Sequence, residues 1–400
     1  MHADDEPRAR AATYPMPSFP TPAFSNPPDL ADATVAVVTT AGLMRHGDSP
    51  WAPGEPAFRT FGRDEDDLIV GHISTNFDRT GLAADRNVFY PLDRLRELEG
   101  DRTIGAVADR HISFMGAVID LSTIILDTGP AAAQQLLRDG VDVVVITPVC
   151  PLCTRTVCTL AHVLEASGLA TVAISLVEPV VRVMQPPRAL HCQFPLGRPF
   201  GRPLDPPFQR SVLTRALGLL ASPGPVIDVY PEIIDDEADD AYACTLPPRF
   251  DPSLPAAVDE ARGLRPAYDR TVTQNGGRTQ VGRRCSAADV PDALAKLHHI
   301  GTGAHWRSAG FADADALLNN AMDVRAYYEE AALALADHVP AARSVESWFF
   351  GSTAAGRVFL DAMPLIAASD FPIEKELLLA VFLPRSQALR STEPQPRSST

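Results

Sequence analysis

The chain has 400 residues, 46% hydrophobic and 21% charged, with a formal net charge of −15. That length and balance suit a soluble globular protein with room for two domains and a sizeable core. The acidic surplus argues against a nucleic-acid backbone or an anionic membrane as partner, and leaves a small-molecule substrate or another protein.

Residues 1–30 read as a disordered, Pro-rich arm. Asp4, Asp5 and Glu6 stand where a secretory signal would be basic, and no apolar h-region follows. No apolar run reaches the length of a membrane span, so a cytoplasmic protein with mostly reduced cysteines is expected. Over 31–248, strand patterns at 34–40, 67–73, 104–107, 142–146, 169–175 and 225–230 are interleaved with helical patterns at 91–98, 130–138, 151–167 and 206–220. This alternation predicts an α/β domain with a mainly parallel sheet flanked by helices. Its functional crevice should lie beyond the carboxyl ends of the strands, where Thr39, His72, the stretch 108–111 and Cys150 are expected to fall. A mostly helical region follows over 249–384, with helical patterns at 254–263, 287–298, 311–337 and 344–360. A disordered tail is expected over 385–400.

The run Thr147-Pro148-Val149-Cys150-Pro151-Leu152-Cys153 places a C-x-x-C pair between a buried-strand pattern and the start of a helix. Unpaired N–H groups and the helix dipole favour a thiolate at Cys150, with Arg155 as a cation one turn along. Cys150 is therefore the candidate nucleophile. Cys153 is placed to resolve an adduct on it as a disulfide. Other readings keep the same cysteines in view: a metal- or sulfur-handling protein using Cys150, Cys153 and Cys158, inert buried thiols, or a non-catalytic accessory subunit. A zinc site lacks a second C-x-x-C, and on a helix Cys153 and Cys158 face apart, so no metal site is assigned. The only lysines are Lys296 and Lys375, which excludes a Schiff-base or P-loop lysine near the motif. No G-x-G-x-x-G supports a dinucleotide site.

Two stretches are richer in polar residues than a core requires. Residues 71–80 bring His72, Asp78 and Arg79; residues 108–116 bring Arg110 and His111. His72 and His111 are the acid/base candidates, and Asp78 is expected to orient an imidazole. Arg79, Arg110 and, in the Pro/Gly-rich loop 184–207, Arg198 are candidates to grip a substrate carboxylate. His298, His299 and His305 form a cluster without a carboxylate partner and read as surface residues.

Together these stretches resemble component B of the glycine, sarcosine and betaine reductases and their D-proline reductase relatives. The resemblance rests on Val38-Thr39-Thr40-Ala41-Gly42-Leu43, the 72–79 and 88–98 segments, Arg110-His111 to Gly116, Ile146 to Cys153, and Phe194-Pro195-Leu196-Gly197-Arg198-Pro199-Phe200-Gly201. It covers roughly residues 34–230. It implies reductive cleavage of a C–N bond in a small carboxylate-bearing substrate activated on a pyruvoyl group, with Thr39 and Thr40 beside the substrate. Cys150 stands where the family's U-x-x-C motif has selenocysteine, and Cys153 in the resolving position. No Thr-Cys dipeptide occurs, so a pyruvoyl group is expected from a partner reductase subunit. An external dithiol or thioredoxin-like protein would restore the thiols.

Overall fold

The computed structural model describes residues 3–235, 242, 245–373, 378, 381–385 and 387. The tail predicted as disordered lies outside them, apart from 385 and 387. In chain order the α/β part contains α1 (Asp5–Ala11), β1 (Thr34–Thr39), β2 (Leu43–Arg45), β3 (Phe58–Gly62), β4 (Leu68–Val70), α2 (Thr80–Ala84), α3 (Leu92–Gly100), β5 (Ala106–Val107), β6 (Arg110–Phe114), α4 (Gly129–Arg138), β7 (Val143–Thr147), α5 (Cys153–Ala166), β8 (Ala170–Ser175), α6 (Glu178–Met184), β9 (Arg188–Gln193), α7 (Pro206–Gly218) and β10 (Val226–Ile233). The helical part contains α8 (Ala256–Gln274), α9 (Val290–Gly301), α10 (Ala314–Leu333), α11 (Ser344–Ser352) and α12 (Ala354–Ala367).

The chain forms two compact units. One is Arg8–Ile73 with Phe77–Asp236; the other is Met1–Pro7, Ser74–Asn76 and Glu237–Thr400. Two short segments, Met1–Pro7 and Ser74–Asn76, thus group with the helical unit.

In the α/β unit the sheet runs β10-β9-β8-β7-β1-β6-β3, with β5 also on β1. Every pair is parallel except β3 against β6. All five residues of β7, Val143 to Thr147, are buried, as a β-branched strand covered on both faces should be. From β1 the chain moves to β5 and β6 on one side, then returns to lay β7 on the other. That reversal makes the carboxyl ends of β1 and β7 the topological switch point, the usual place for a ligand crevice in such sheets.

Several expectations needed correction. The strand pattern at 67–73 forms β4 in a separate antiparallel pair with β2, not a member of the parallel sheet. Arg110 and His111 come after β5 but open β6, so they sit at the amino end of that strand and not beyond a carboxyl end. Part of the loop expected over 184–207 is β9. The arm is also ordered where described: Phe19 stacks on the His162 ring at 4.1 Å, Phe24 lies 3.8 Å from the Arg188 guanidinium, and Arg155 donates to the Pro15 carbonyl. Its aromatic residues give a proline-rich segment something to bury, which composition alone obscures.

In the helical unit, α8 pairs with α10 and α9 with α12. The pattern read as one helix over 344–360 breaks at Thr353, whose hydroxyl accepts from Gly356 N–H at 2.8 Å and caps α12. Gly276 and Gly277 take positive φ just after α8, the turn that Asn275-Gly276-Gly277 predicted.

Candidate active site

β1 and β7 end together, and their carboxyl ends are tied through Thr40. Its N–H and its hydroxyl both reach the Thr147 carbonyl, at 2.9 and 3.0 Å. Thr147 in turn donates its hydroxyl to the Phe89 carbonyl at 2.8 Å. From this fixed point Pro148 turns the chain toward α5, which begins at Cys153, with Cys150 one turn ahead of it. The Cys153 N–H donates to the Cys150 sulfur at 3.2 Å, so the helix start does direct a backbone donor at Cys150 as the motif predicted.

The two sulfurs are 3.0 Å apart, and the Cys153 sulfur lies 3.5 Å from Nε2 of His72 and 3.6 Å from the Thr40 carbonyl oxygen. All three side chains are buried. Phe77 sets its ring edge-on to His72 at 5.2 Å, and Arg79 donates to the His72 and Val70 carbonyls, fixing the backbone that carries the imidazole.

The anion belongs to Cys153. Burial opposes its ionisation, but the Cys150 thiol, the His72 ring and Thr40 together bring it well below the ordinary thiol value. Burial and the adjacent Cys153 sulfur push Cys150 well above that value, against the backbone N–H groups of Cys153 and Leu152. This is the reverse of the expected order of acidity: the Cys150 thiol and then the His72 ring act on the Cys153 sulfur, whereas burial outweighs the two backbone donors on Cys150. Arg155 takes no part: it donates to the Val118 and Ile119 carbonyls at 3.3 and 3.2 Å.

Other candidates lie apart from the thiols or serve the scaffold. Nδ1 of His111 accepts from the Val37 N–H at 3.1 Å, and burial depresses its pKa to about 3, so it stays neutral within the sheet. Arg110 is exposed and pairs with Asp139. The Asp78 carboxylate receives Arg198 Nε at 2.7 Å and the Gly81 N–H at 2.8 Å. Arg198 is thus a buried partner of Asp78, not an open cation. The hydroxyl of Thr39 accepts from the Ala41 N–H at 3.3 Å and shapes the strand end. In the helical unit, His305 pairs with exposed Asp370, as a surface histidine would.

Gly116 is the residue whose role the sequence did not disclose. It follows β6, donates its N–H to the Thr40 carbonyl at 3.1 Å and receives the Thr156 hydroxyl at 2.8 Å. A Cβ on it would collide with the Cys153 sulfur and approach Thr40 Cβ to 2.8 Å. Only a glycine lets that sulfur lie in the turn. Among the described residues, His72, Cys150 and Cys153 form one trio of soft donors, with ligand atoms within 4.8 Å of one another. No helix among these residues is long and apolar enough to cross a membrane.

Comparisons with known proteins agree on a lineage. The family described as glycine/sarcosine/betaine reductase selenoprotein B matches residues 7–149, ending one residue before the first cysteine of the motif. D-proline reductase subunit gamma of Acetoanaerobium sticklandii is 34% identical over 192 residues, 47% of this chain and 78% of that protein. Sarcosine reductase complex component B subunit beta of Peptoclostridium acidaminophilum is 29% identical over 46% of this chain. Glycine reductase complex component B subunit gamma of Symbiobacterium thermophilum is 30% identical over 52%. The chain matches only 45% and 50% of the length of these last two. No solved structure matches.

Proposed function

Because the chain belongs to the glycine/sarcosine/betaine reductase selenoprotein B family, we propose that it is the thiol-bearing subunit of a reductase that cleaves a carbon–heteroatom bond in a small carboxylate-bearing substrate. The observation that carries this reading is the buried relay from His72 Nε2 to Cys153 Sγ to Cys150 Sγ, at 3.5 and 3.0 Å. It joins two electrons' worth of thiol to a proton carrier.

In the proposed cycle, the Cys150 proton passes along this relay and the Cys150 sulfur attacks the substrate carbon. An S–C bond forms, the C–N bond breaks with its electron pair on nitrogen, and the relay returns a proton to the departing amine. Cys153 thiolate then attacks the Cys150 sulfur. The S–C bond breaks, an S–S bond forms, and the carbon keeps the electron pair and takes a proton. The two cysteines are oxidised to a disulfide while the substrate gains two electrons and two protons, one from Cys150 through the relay to the amine and one from solvent to the carbon. An external dithiol or a thioredoxin-like partner reduces the disulfide.

The chain has no Thr-Cys dipeptide, and its two lysines fall at 296 and 375. A carbonyl group that activates the substrate's amino group would in this reading come from a partner subunit. Arg110 and Arg198, first considered for a carboxylate, pair with Asp139 and Asp78.

The test is mass spectrometry of the reduced full chain, with its partner subunit, after exposure to proline, glycine, sarcosine and betaine. Cys153→Ser should accumulate an adduct on Cys150 that the wild type resolves to a disulfide. Full turnover by Cys150→Ala would refute the proposal.

A further inference from the structure

The thiol trio has a capacity that the reductase reading does not use. The Nε2 of His72 and the sulfurs of Cys150 and Cys153 converge within 4.8 Å, and all three side chains are buried. We infer that this trio is a binding site for a thiophilic divalent cation of the Zn²⁺ class, held by two thiolates and one imidazole nitrogen, with Cys158 outside the site.

Distance supports the assignment. In a tetrahedral site with Zn–S of about 2.3 Å and Zn–N of about 2.0–2.1 Å, ligand atoms stand roughly 3.5–3.8 Å apart. Cys153 and His72 are already 3.5 Å apart, and the sulfurs, at 3.0 Å, must part by less than about 1 Å. A C-x-x-C pair at a helix start commonly supplies two ligands to one ion, and the imidazole adds a third. Three protein ligands leave a fourth position for water or an incoming thiolate. The Thr40 carbonyl oxygen lies 3.6 Å from the Cys153 sulfur.

Cys158 was part of the metal set considered from sequence. It lies further along α5, outside the trio, among the buried apolar side chains of the core. His72 takes its place, from a segment more than seventy residues upstream.

Charge also favours an ion. Both sulfurs stand at the start of α5, where backbone N–H groups favour thiolates. A divalent cation bound by the two thiolates displaces their protons to solvent and changes no oxidation state. Binding therefore tightens as pH rises. With both sulfurs ligated, neither can attack carbon, so the bound ion is a reversible block on the thiol chemistry; this consequence rests on the reductase reading, whereas binding itself does not.

The experiment titrates Co²⁺ into the reduced, oxygen-free full chain, reads the sulfur-to-cobalt charge-transfer and tetrahedral d–d bands, and then displaces Co²⁺ with Zn²⁺ against a chromophoric chelator. One ion per chain is expected. Cys150→Ser, Cys153→Ser and His72→Gln should each weaken binding at least about tenfold, with circular dichroism unchanged, and each serine should also dim the charge-transfer band. Cys158→Ser should bind as the wild type does. Absence of stoichiometric binding, full affinity in Cys153→Ser, or an equal loss in Cys158→Ser would overturn the site. No substrate is present, so failure here is separate from failure of the adduct experiment.

Discussion

The sulfur of Cys153 occupies the space that a β-carbon on residue 116 would need. Gly116 follows β6, whereas Cys153 opens α5, and Thr40 from the end of β1 touches both. The switch point of the sheet is thereby packed around one sulfur atom.

Gly116→Ala should displace that sulfur and break its 3.0 Å contact with Cys150. Overpacking of this kind costs about 1–3 kcal/mol, so the chain should remain folded while losing most thiol-dependent turnover. Urea unfolding and turnover measured together check this. Wild-type activity in the alanine variant would show that the sulfur can move freely.

The low pKa of Cys153 depends on His72, which lies 3.5 Å from its sulfur. Alkylation of Cys153 should thus persist at pH values where an ordinary thiol has stopped reacting. In His72→Gln the profile should move up in pH. Because both thiols are buried, the absolute rate should be slow and should rise under mild denaturant, which separates access from ionisation. Peptide-resolved alkylation against pH reads both effects, and an unshifted profile in the variant would remove His72 from the relay.

Much of the α/β unit was legible because parallel strands covered on both faces are written as short β-branched runs: β1, β7 and β8 follow from local pattern. The C-x-x-C between β7 and α5 was legible for the same reason, since a strand end and a helix start are both local. Arg110 and His111 were misplaced because Asp109-Arg110-His111 resembles the polar end of a strand when it is the beginning of β6. The ionisation order was hidden because it depends on His72 meeting Cys153 from 81 positions away. Neither spacing nor composition encodes such a contact. Gly116 was hidden in the same way, since its requirement comes from the neighbouring sulfur rather than from its own backbone.

Arg198, a candidate substrate cation from sequence, should behave as a structural residue. It is 3% exposed and bonds Asp78, itself 2% exposed, at 2.7 Å. Arg198→Met leaves a buried carboxylate without that partner and should cost about 3–5 kcal/mol. The double variant Arg198→Met/Asp78→Leu should recover much of that loss. Chemical denaturation of both variants is the check, and an Arg198→Met chain of wild-type stability would return Arg198 to the list of substrate ligands.

Acid should weaken the α/β unit through His111. Burial depresses its pKa from 6.5 to about 3, so the folded state excludes a proton that the unfolded chain accepts. Stability from this group is complete above pH 6.5 and is lost as pH falls from there toward 3. By pH 4.5 the loss should be about 3 kcal/mol. His111→Gln keeps a neutral acceptor available to the Val37 N–H and should flatten that part of the profile. Urea midpoints at pH 7.5 and 4.5 decide it.

The helical unit should respond with the opposite sign through Glu330. Burial raises its pKa from 4.5 to about 7 even though its carboxylate receives the Thr279 hydroxyl at 2.6 Å and the Gln280 N–H at 2.9 Å. A carboxyl group with a raised folded-state pKa favours folding while protonated. Its contribution is complete below pH 4.5 and is lost as pH rises to about 7, a change of about 3 kcal/mol. Glu330→Gln should remove this slope and be more stable than the wild type at pH 8, provided that the Thr279 hydroxyl rotates to suit the amide. Asp323 offers an internal comparison: its carboxylate receives the N–H groups of Gly282, Arg283, Arg284 and Cys285 at 2.8–2.9 Å. Replacing it by Asn removes acceptors at a site where all four donors are backbone, so Asp323→Asn should destabilise at pH 8, where Glu330→Gln should stabilise. Hydrogen exchange of α8 and α10 as a function of pH distinguishes the two, and parallel profiles for both variants would show that Glu330 is ionised in the fold throughout.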